Sequence, residues 1–119
     1  MRRDPRALLW DALNAARLVQ GFVRQADIER FESDDMLRSA VERQLEIFGE
    51  ALSQLDKVAP DIGQRLPELR RAVDFRNLLI HGYAAVNRRR VWAVVQSDLP
   101  RMALAIEALL AALDKKPAG

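Results

Sequence analysis

The chain has 119 residues, the length of one ordinary domain, and roughly two-thirds of the surface of such a chain can be buried on folding. It contains no cysteine, which excludes disulfides, cysteine-ligated zinc and cysteine nucleophiles. The net charge of +2 gives only a weak hint of a nucleic-acid partner, although arginine, whose planar guanidinium suits phosphates, supplies most of the positive charge.

The first two predicted helices follow from their caps and apolar stripes. Asp4 can cap the first helix, with Pro5 at the favoured first helical position. Its stripe has helical spacing and consists of Leu8, Ala12, Ala15, Val19 and Phe22. The second helix begins near "ESDD", where Ser33 can serve as its cap. Its apolar face consists of Leu37, Val41, Leu45, Phe48, Leu52 and Leu55.

The other two predicted helices occupy the second half of the chain. The stretch "APDIG" interrupts the pattern, and Pro67 then starts a third helix that continues to Ile80. The fourth helix runs from about Arg88 to Leu113, with apolar residues three and four positions apart. No stretch has the two-residue period of a strand, and no apolar run approaches the roughly 18 residues of a membrane span. We therefore expect a cytoplasmic protein.

These elements predict an all-α fold, an antiparallel four-helix bundle formed by residues 1–114. Residues 115–119 are expected to form a flexible C-terminal tail. Pro100 falls inside the last helix and removes one of its hydrogen bonds. The last helix should therefore be kinked at Pro100 or, if Asp98 caps a new helix, split there.

Several kinds of site fit the sequence poorly. A di-metal site in a helical bundle requires Glu-x-x-His on two helices, but the only histidine, His81, has Leu78 three positions before it. There is no glycine-rich phosphate loop, and no serine lies in a stretch that resembles a nucleophile elbow. We therefore expect no metal and no cofactor.

A row of acidic side chains, Glu42, Glu46 and Glu50, shares one face of the second helix. Like charges four positions apart destabilise a helix by roughly 0.2–0.5 kcal/mol per pair. Gly49 adds a further cost of about 1 kcal/mol relative to alanine. One interpretation is that the carboxylates are solvated and that Gly49 permits close helix packing. The other is that a carboxylate such as Glu50 holds an arginine of the third helix.

The stretch "DFRNLLIHGY" contains the only histidine and the only tyrosine of the chain, His81 and Tyr83. Arg76 lies five positions before the histidine, which places it about 140° away around an ideal helix. The two side chains can converge on one ligand only if the helix end distorts at Gly82 or if two chains contribute. The alternative for a helix-end histidine is a purely structural role.

Four residues separate Arg76 from His81, and one residue separates His81 from Tyr83. This spacing resembles the signature of HepT-like toxins, a branch of the HEPN superfamily. "MLRSAVERQLEIFGEAL" and "VWAVVQSDLPRMALAIE" resemble the second and last helices of that family, and "RNLLIHGY" resembles its third. The resemblance covers about residues 4–113. One departure is the run Asn87–Arg90, "NRRR", where many relatives carry an acidic residue before the Val-Trp pair.

The resemblance implies a metal-independent endoribonuclease toxin of a type VII-like toxin–antitoxin system, working as a homodimer on tRNA or mRNA. Its partner would be a minimal nucleotidyltransferase antitoxin of the MntA type, which silences the toxin by attaching AMP to the motif tyrosine. Carried onto this chain, Arg76 and His81 are catalytic, Tyr83 is the AMPylated residue, and Asn77 supports the site.

The residue chemistry agrees with this implication. RNA cleavage by its own 2′-hydroxyl needs a base, an acid and positive charge at the phosphate, and it yields a 2′,3′-cyclic phosphate. An imidazole ordinarily titrates near neutral pH, and a guanidinium binds two phosphate oxygens at once. Because each chain has one histidine, two motifs facing each other across a two-fold axis would supply both proton-transfer groups.

Three further interpretations stay open on the sequence. Arg88, Arg89 and Arg90 can form a phosphate-binding rim or a solvated surface turn. The chain can also be a non-catalytic HEPN module that binds a nucleotidyltransferase or its substrate. A third possibility is a helical dimerisation domain without chemistry.

Overall fold

The computed structural model describes residues 3–82 and 87–115, and every regular element in those ranges is helical. In chain order the elements are α1 (Pro5–Val23), α2 (Ile28–Ser33), α3 (Asp35–Val58), α4 (Pro60–Gly63), α5 (Leu69–Ile80), α6 (Arg88–Ala93), a π-helical turn (Val94–Asp98) and α7 (Leu99–Asp114). The all-α prediction is confirmed. Helices α1, α3, α5 and the continuous run from α6 to α7 are the four predicted ones. Of the predicted tail, residues 116–119 lie outside the described ranges.

The long helices pack as neighbours around one apolar core. Helix α3 packs against both α1 and α5, and α7 packs against α1. The ion pairs Arg6–Asp114 (3.7 Å) and Arg17–Glu107 (2.9 Å) show that α1 and α7 run antiparallel. The largest fully buried side chains are Phe31, Leu8, Leu9, Leu13, Leu52, Leu55, Leu99, Ile106, Val19, Val41, Val91 and Val95. No helix in the described part of the chain is long and apolar enough to cross a membrane.

The beginning and end of α1 test the prediction for that helix. The Asp4 cap is confirmed, since its carboxylate accepts a hydrogen bond from the backbone N–H of Arg6 at 2.8 Å. The prediction that Phe22 belongs to the buried stripe is wrong, because its side chain is 40% exposed. Val23 is buried in its place. A helix has 3.6 residues per turn, so a residue four positions after Val19 points closer to the direction of Val19 than a residue three positions after it. Val23 therefore faces the core, and Phe22 does not.

The cap of α3 lies one residue later than predicted. The Ser33 hydroxyl donates to the carbonyl of Glu29 at 2.9 Å and therefore belongs to the last turn of α2. Asp34 has an extended backbone, and its carboxylate accepts from the N–H of Leu37 at 3.0 Å. This backbone hydrogen bond, with Arg30 beside it, lowers the pKa of Asp34. Serine and aspartate are about equally good caps, so the sequence alone did not distinguish them.

The short helix α2 was not predicted, because six residues are too few for a periodic pattern. Asp27 caps it by accepting from the N–H of Arg30 at 2.8 Å. Its Phe31 is fully buried and packs against Trp92 of α6, with the ring centroids 5.2 Å apart. This aromatic pair joins the start of the last helical run to the segment before α3.

Helix α5, which carries the motif, begins at Leu69 and not at the predicted Pro67. Pro67 lies in a turn that closes where the N–H of Leu69 donates to the carbonyl of Leu66 at 3.2 Å. The backbone of Glu68, with φ −106° and ψ 15°, is still outside the helical region. The helix therefore starts two residues later and ends at Ile80.

The last helical run stays continuous past Pro100. Proline cannot donate the N–H that would reach Gln96, and the chain accommodates this with a π-helical turn over Val94–Asp98. In that turn the N–H of Leu99 donates to the carbonyl of Val94. Asp98 forms no side-chain cap, so the alternative of a separate capped helix is not the one that the structure adopts.

Candidate active site

Helix α5 approaches α3 closely where the motif arginine lies over a glycine. A Cβ atom built on Gly49 would lie 2.3 Å from the Cβ of Arg76 and 3.2 Å from the carbonyl oxygen of Ala72. Real Cβ contacts do not reach the first of these distances. Gly49 thus permits the close helix packing that the sequence suggested. The cost of glycine in a helix is offset here by the position it gives to Arg76.

The guanidinium of Arg76 is held by two side chains. Its Nη2 lies 2.5 Å from a carboxylate oxygen of Glu50 on α3, and its Nη1 donates to the side-chain oxygen of Asn77 at 2.9 Å. The side chain is 26% exposed, and its Nε has no hydrogen-bond partner among the described residues. Glu50 therefore does hold an arginine of the motif helix, and Asn77 lies where it can support that arginine.

One member of this cluster, Gln54, was not predicted from the sequence. Its side-chain amide donates to the other carboxylate oxygen of Glu50 at 3.2 Å. Both oxygens of Glu50 are thus bound, one by Gln54 and one by Arg76, which restricts the rotation of the carboxylate. The spacing of four residues on one helix face was the signal that could have indicated this pair.

His81 lies at the C-terminal end of α5, with its side chain exposed. Its Nδ1 is 2.7 Å from the backbone carbonyl oxygen of Asn77, four residues earlier. A carbonyl only accepts hydrogen bonds, so Nδ1 carries a hydrogen. In the neutral ring, Nε2 then has the lone pair and is the atom that can take up a proton.

Asn77 connects the two motif side chains, although they do not share a helix face. Its side chain binds Arg76 and its backbone carbonyl binds His81. Helix α5 remains regular to Ile80, and the chain turns only at Gly82, whose φ of +80° is the left-handed conformation that favours glycine. The separation of about 140° between Arg76 and His81 is therefore retained.

The other predicted site residues are Tyr83 and the three arginines of the predicted rim. Tyr83 falls outside the described residues, and its predicted role stays a prediction. Arg88 donates to the backbone carbonyl of Glu32 at 2.7 Å, and Arg89 forms an ion pair with the Glu32 carboxylate at 3.3 Å. Two of the three arginines of the predicted rim thus bind the end of α2, whereas Arg90 forms no ion pair within the described ranges.

The acidic row on α3 does not act as one cluster. Glu50 binds Arg76 and Glu46 binds Arg43 at 3.4 Å, while burial raises the pKa of Glu42. The part of the chain that the structure describes contains no group of three or more His, Asp or Glu side chains arranged to hold a metal ion.

The described part of the chain is all-helical and presents an exposed imidazole and a held guanidinium in the C-terminal part of one helix. A family model described as "Ribonuclease HepT-like" matches residues 12–109. The chain belongs to the HepT-like ribonuclease family.

The names of two similar proteins agree with this assignment. The chain is 33% identical over 108 residues to "Putative RNase MJ1380" of Methanocaldococcus jannaschii, covering 89% of this chain and 96% of the relative. It is 36% identical over 105 residues to "Probable ribonuclease HepT" of Thermococcus cleftensis, covering 86% and 92%. No solved structure shows significant similarity to the chain.

Proposed function

We propose that the protein is a metal-independent endoribonuclease toxin in which Arg76 and His81 cleave RNA. The observation that carries this proposal is the double role of Asn77. One residue fixes the guanidinium through its side chain and the imidazole through its backbone carbonyl. Each of the two groups is thus held in a defined position before any substrate binds, which lowers the cost of ordering it for the reaction.

In the proposed reaction the RNA 2′-oxygen attacks the adjacent phosphorus and the bond from phosphorus to the 5′-oxygen breaks. Nε2 of a neutral His81 takes the proton of the 2′-hydroxyl, and a protonated imidazole gives a proton to the leaving 5′-oxygen. The guanidinium of Arg76 stabilises the charge that develops on the non-bridging oxygens. The products are a 2′,3′-cyclic phosphate and a free 5′-hydroxyl.

We further propose that the two proton-transfer groups come from two copies of the chain. Each chain has one histidine, and Arg76 and His81 lie on different sides of α5. Ile80 lies between them around the helix, and its side chain is 50% exposed. An exposed apolar side chain flanked by the two motif residues is suited to the contact between two identical motifs across a two-fold axis.

Neutralisation is proposed to occur at Tyr83 through a nucleotidyltransferase antitoxin of the MntA type. The tyrosine oxygen would attack the α-phosphorus of ATP and release pyrophosphate, leaving AMP on the ring. Tyr83 follows His81 by two residues, so the added phosphate places negative charge beside the RNA site. If the Tyr83→Phe variant were still fully neutralised by the transferase activity of the partner, this step would be wrong.

The experiment that tests the cleavage proposal uses purified protein with tRNA and bulk RNA in the presence of EDTA. We expect cleavage that is lost in Arg76→Ala and His81→Ala and that leaves 2′,3′-cyclic phosphate ends. Binding of a nucleotidyltransferase by a protein that cleaves no RNA would favour a non-catalytic HEPN subunit instead.

A further inference from the structure

A groove of about 410 Å³ lies between α5 and the run from α6 to α7. Helix α5 packs against α3 and makes few close approaches to the last two helices, so this space is not closed by helix packing. Five buried apolar side chains lie along the groove: Leu45, Phe48, Phe75, Leu99 and Met102. The groove is therefore apolar inside.

The charged side chains that line the groove fall into two groups. Arg71 and Asp98 bind each other at 3.2 Å, and Glu68 binds Arg101 at 3.0 Å. Asp74 and Arg90 also line it, but neither forms an ion pair within 4.0 Å in the part of the chain that the structure describes. Two opposite charges thus share one groove without neutralising each other.

Asp74 also relates the groove to the candidate active site. It precedes His81 by seven residues, which is close to two full turns, so the two side chains leave α5 on the same face. Seven residues correspond to about 10 Å along a helix. An extended RNA strand can cover this distance with two nucleotides, each of which spans several ångströms of backbone.

We infer that this groove binds one unstacked nucleobase of the RNA substrate, with Arg90 on the neighbouring phosphate and Asp74 accepting a hydrogen bond from the base. The inference rests on the ribonuclease function. A nucleotide combines an apolar ring, donor groups on its edge and an anionic phosphate, which are the features that this lining complements. An ionised carboxylate only accepts hydrogen bonds, and the one ring N–H of uracil in a nucleotide lies between two carbonyl oxygens that repel a carboxylate. Bases with an exocyclic amino group should therefore bind better than uracil.

The methionine methyl groups offer a direct test by NMR, because Met102 lines the groove and Met36 is 82% exposed on α3. Protein labelled with ¹³C at the methionine methyls would be titrated with CMP, GMP, AMP and UMP, and with cytidine. We expect a saturable shift of the Met102 signal and no shift of Met36. UMP should bind several times more weakly than CMP, and cytidine, which lacks the phosphate, should bind roughly tenfold or more weakly.

Two substitutions separate the contacts. In Arg90→Ala, CMP should lose roughly tenfold or more in affinity, the typical effect of a lost hydrogen bond to a charged group. Arg89→Ala is the matched control one residue away, since that arginine binds Glu32. Asp74→Asn should reduce the preference for CMP over UMP, because an amide also donates.

A Met102 signal that stays unchanged at saturating CMP and GMP would overturn the groove as a base site. Equal affinities of wild-type protein and Arg90→Ala for CMP would overturn the phosphate contact. RNA cleavage by the same sample distinguishes the two proposals. Cleavage without a Met102 response overturns the groove alone, whereas a Met102 response in a sample that cleaves no RNA supports the groove and contradicts the ribonuclease function.

Discussion

Gly49 and Arg76 face each other across the interface of α3 and α5 so closely that a Cβ at position 49 would lie 2.3 Å from the arginine Cβ. The motif arginine thus leaves α5 at a point where that helix packs tightly against α3. Next to this contact, Glu50 binds the guanidinium of Arg76. The packing of the bundle and the position of the proposed catalytic charge depend on the same pair of residues.

The first prediction concerns this contact. Gly49→Ala should destabilise the protein by about 1–3 kcal/mol, the usual cost of an overpacked interior, because α5 must move away from α3. It should also reduce RNA cleavage by displacing Arg76. Urea denaturation and cleavage rates would be measured on the same preparation.

Gly21→Ala is the matched control for that experiment. Gly21 lies in α1, and a Cβ there would meet no atom within 4 Å. Alanine is the better helix former, so this variant should gain up to about 1 kcal/mol in stability. A Gly49→Ala protein as stable and active as the wild type would contradict the tight contact.

The second prediction separates the positioning of Arg76 from its charge. Glu50→Gln keeps an oxygen near the guanidinium but removes the ion pair, which is partly exposed and contributes at most about 1 kcal/mol to stability. We expect kcat to fall while KM stays the same or decreases, because the arginine keeps its charge and loses its orientation. Glu46→Gln, one turn away and paired with Arg43, should change neither constant. A rise in KM with unchanged kcat would instead assign Glu50 to substrate binding.

The third prediction concerns the three arginines before the last helical run. Arg90→Ala should reduce the slope of log K against log salt concentration by about 0.7 for single-stranded RNA, the value expected for one lost phosphate contact. Arg88→Ala should mainly lower the unfolding free energy, because Arg88 binds the backbone carbonyl of Glu32. Equal changes of the salt slope in both variants would show that Arg88 contacts phosphate as Arg90 does.

The fourth prediction follows from the raised pKa of Glu42. The folded protein binds this proton more tightly than the unfolded chain, so the partly buried carboxylate lowers stability as pH rises from its ordinary pKa of 4.5 through the raised one. Glu42→Gln should therefore be more stable than the wild type at pH 7, and this gain should disappear below pH 4.5. Urea unfolding between pH 4 and pH 8 measures the difference. The exposed Glu29, changed to Gln, should give no gain.

The fifth prediction tests the two-chain site. Mixing equal amounts of wild-type and His81→Ala chains, with exchange, leaves about a quarter of the dimers with two histidines if pairing is random. Cleavage should fall to about that fraction of the activity of an equal total amount of wild-type protein. A fall to one half, in proportion to dilution, would indicate that each chain works alone.

The long helices could be predicted from the sequence because their apolar stripes extend over several turns. The six-residue α2 could not, and Asp34 could not be told from Ser33 as a cap by residue preference. The π-helical turn near Pro100 has no sequence signal beyond the proline itself.

For the site, the spacing of Arg76 and His81 along one helix could be read directly from the sequence. Glu50 was one of three acidic residues on its face, and only the fold selects it as the partner of Arg76. The contact of Arg88 with Glu32 joins residues 56 positions apart, and no local pattern indicates such a pair. Long-range pairing therefore determines which of the candidate charges act in the site.

The central claim, that Arg76 and His81 cleave RNA without a metal, is tested most directly by the ends of the RNA fragments. Wild-type protein, Arg76→Ala and His81→Ala would be incubated with tRNA in EDTA, and the fragments analysed for 2′,3′-cyclic phosphate. We expect cyclic ends from the wild type and at least a hundredfold slower cleavage by either variant, the lower range for loss of a general acid–base group. Cleavage at the same rate by all three proteins would contradict the claim.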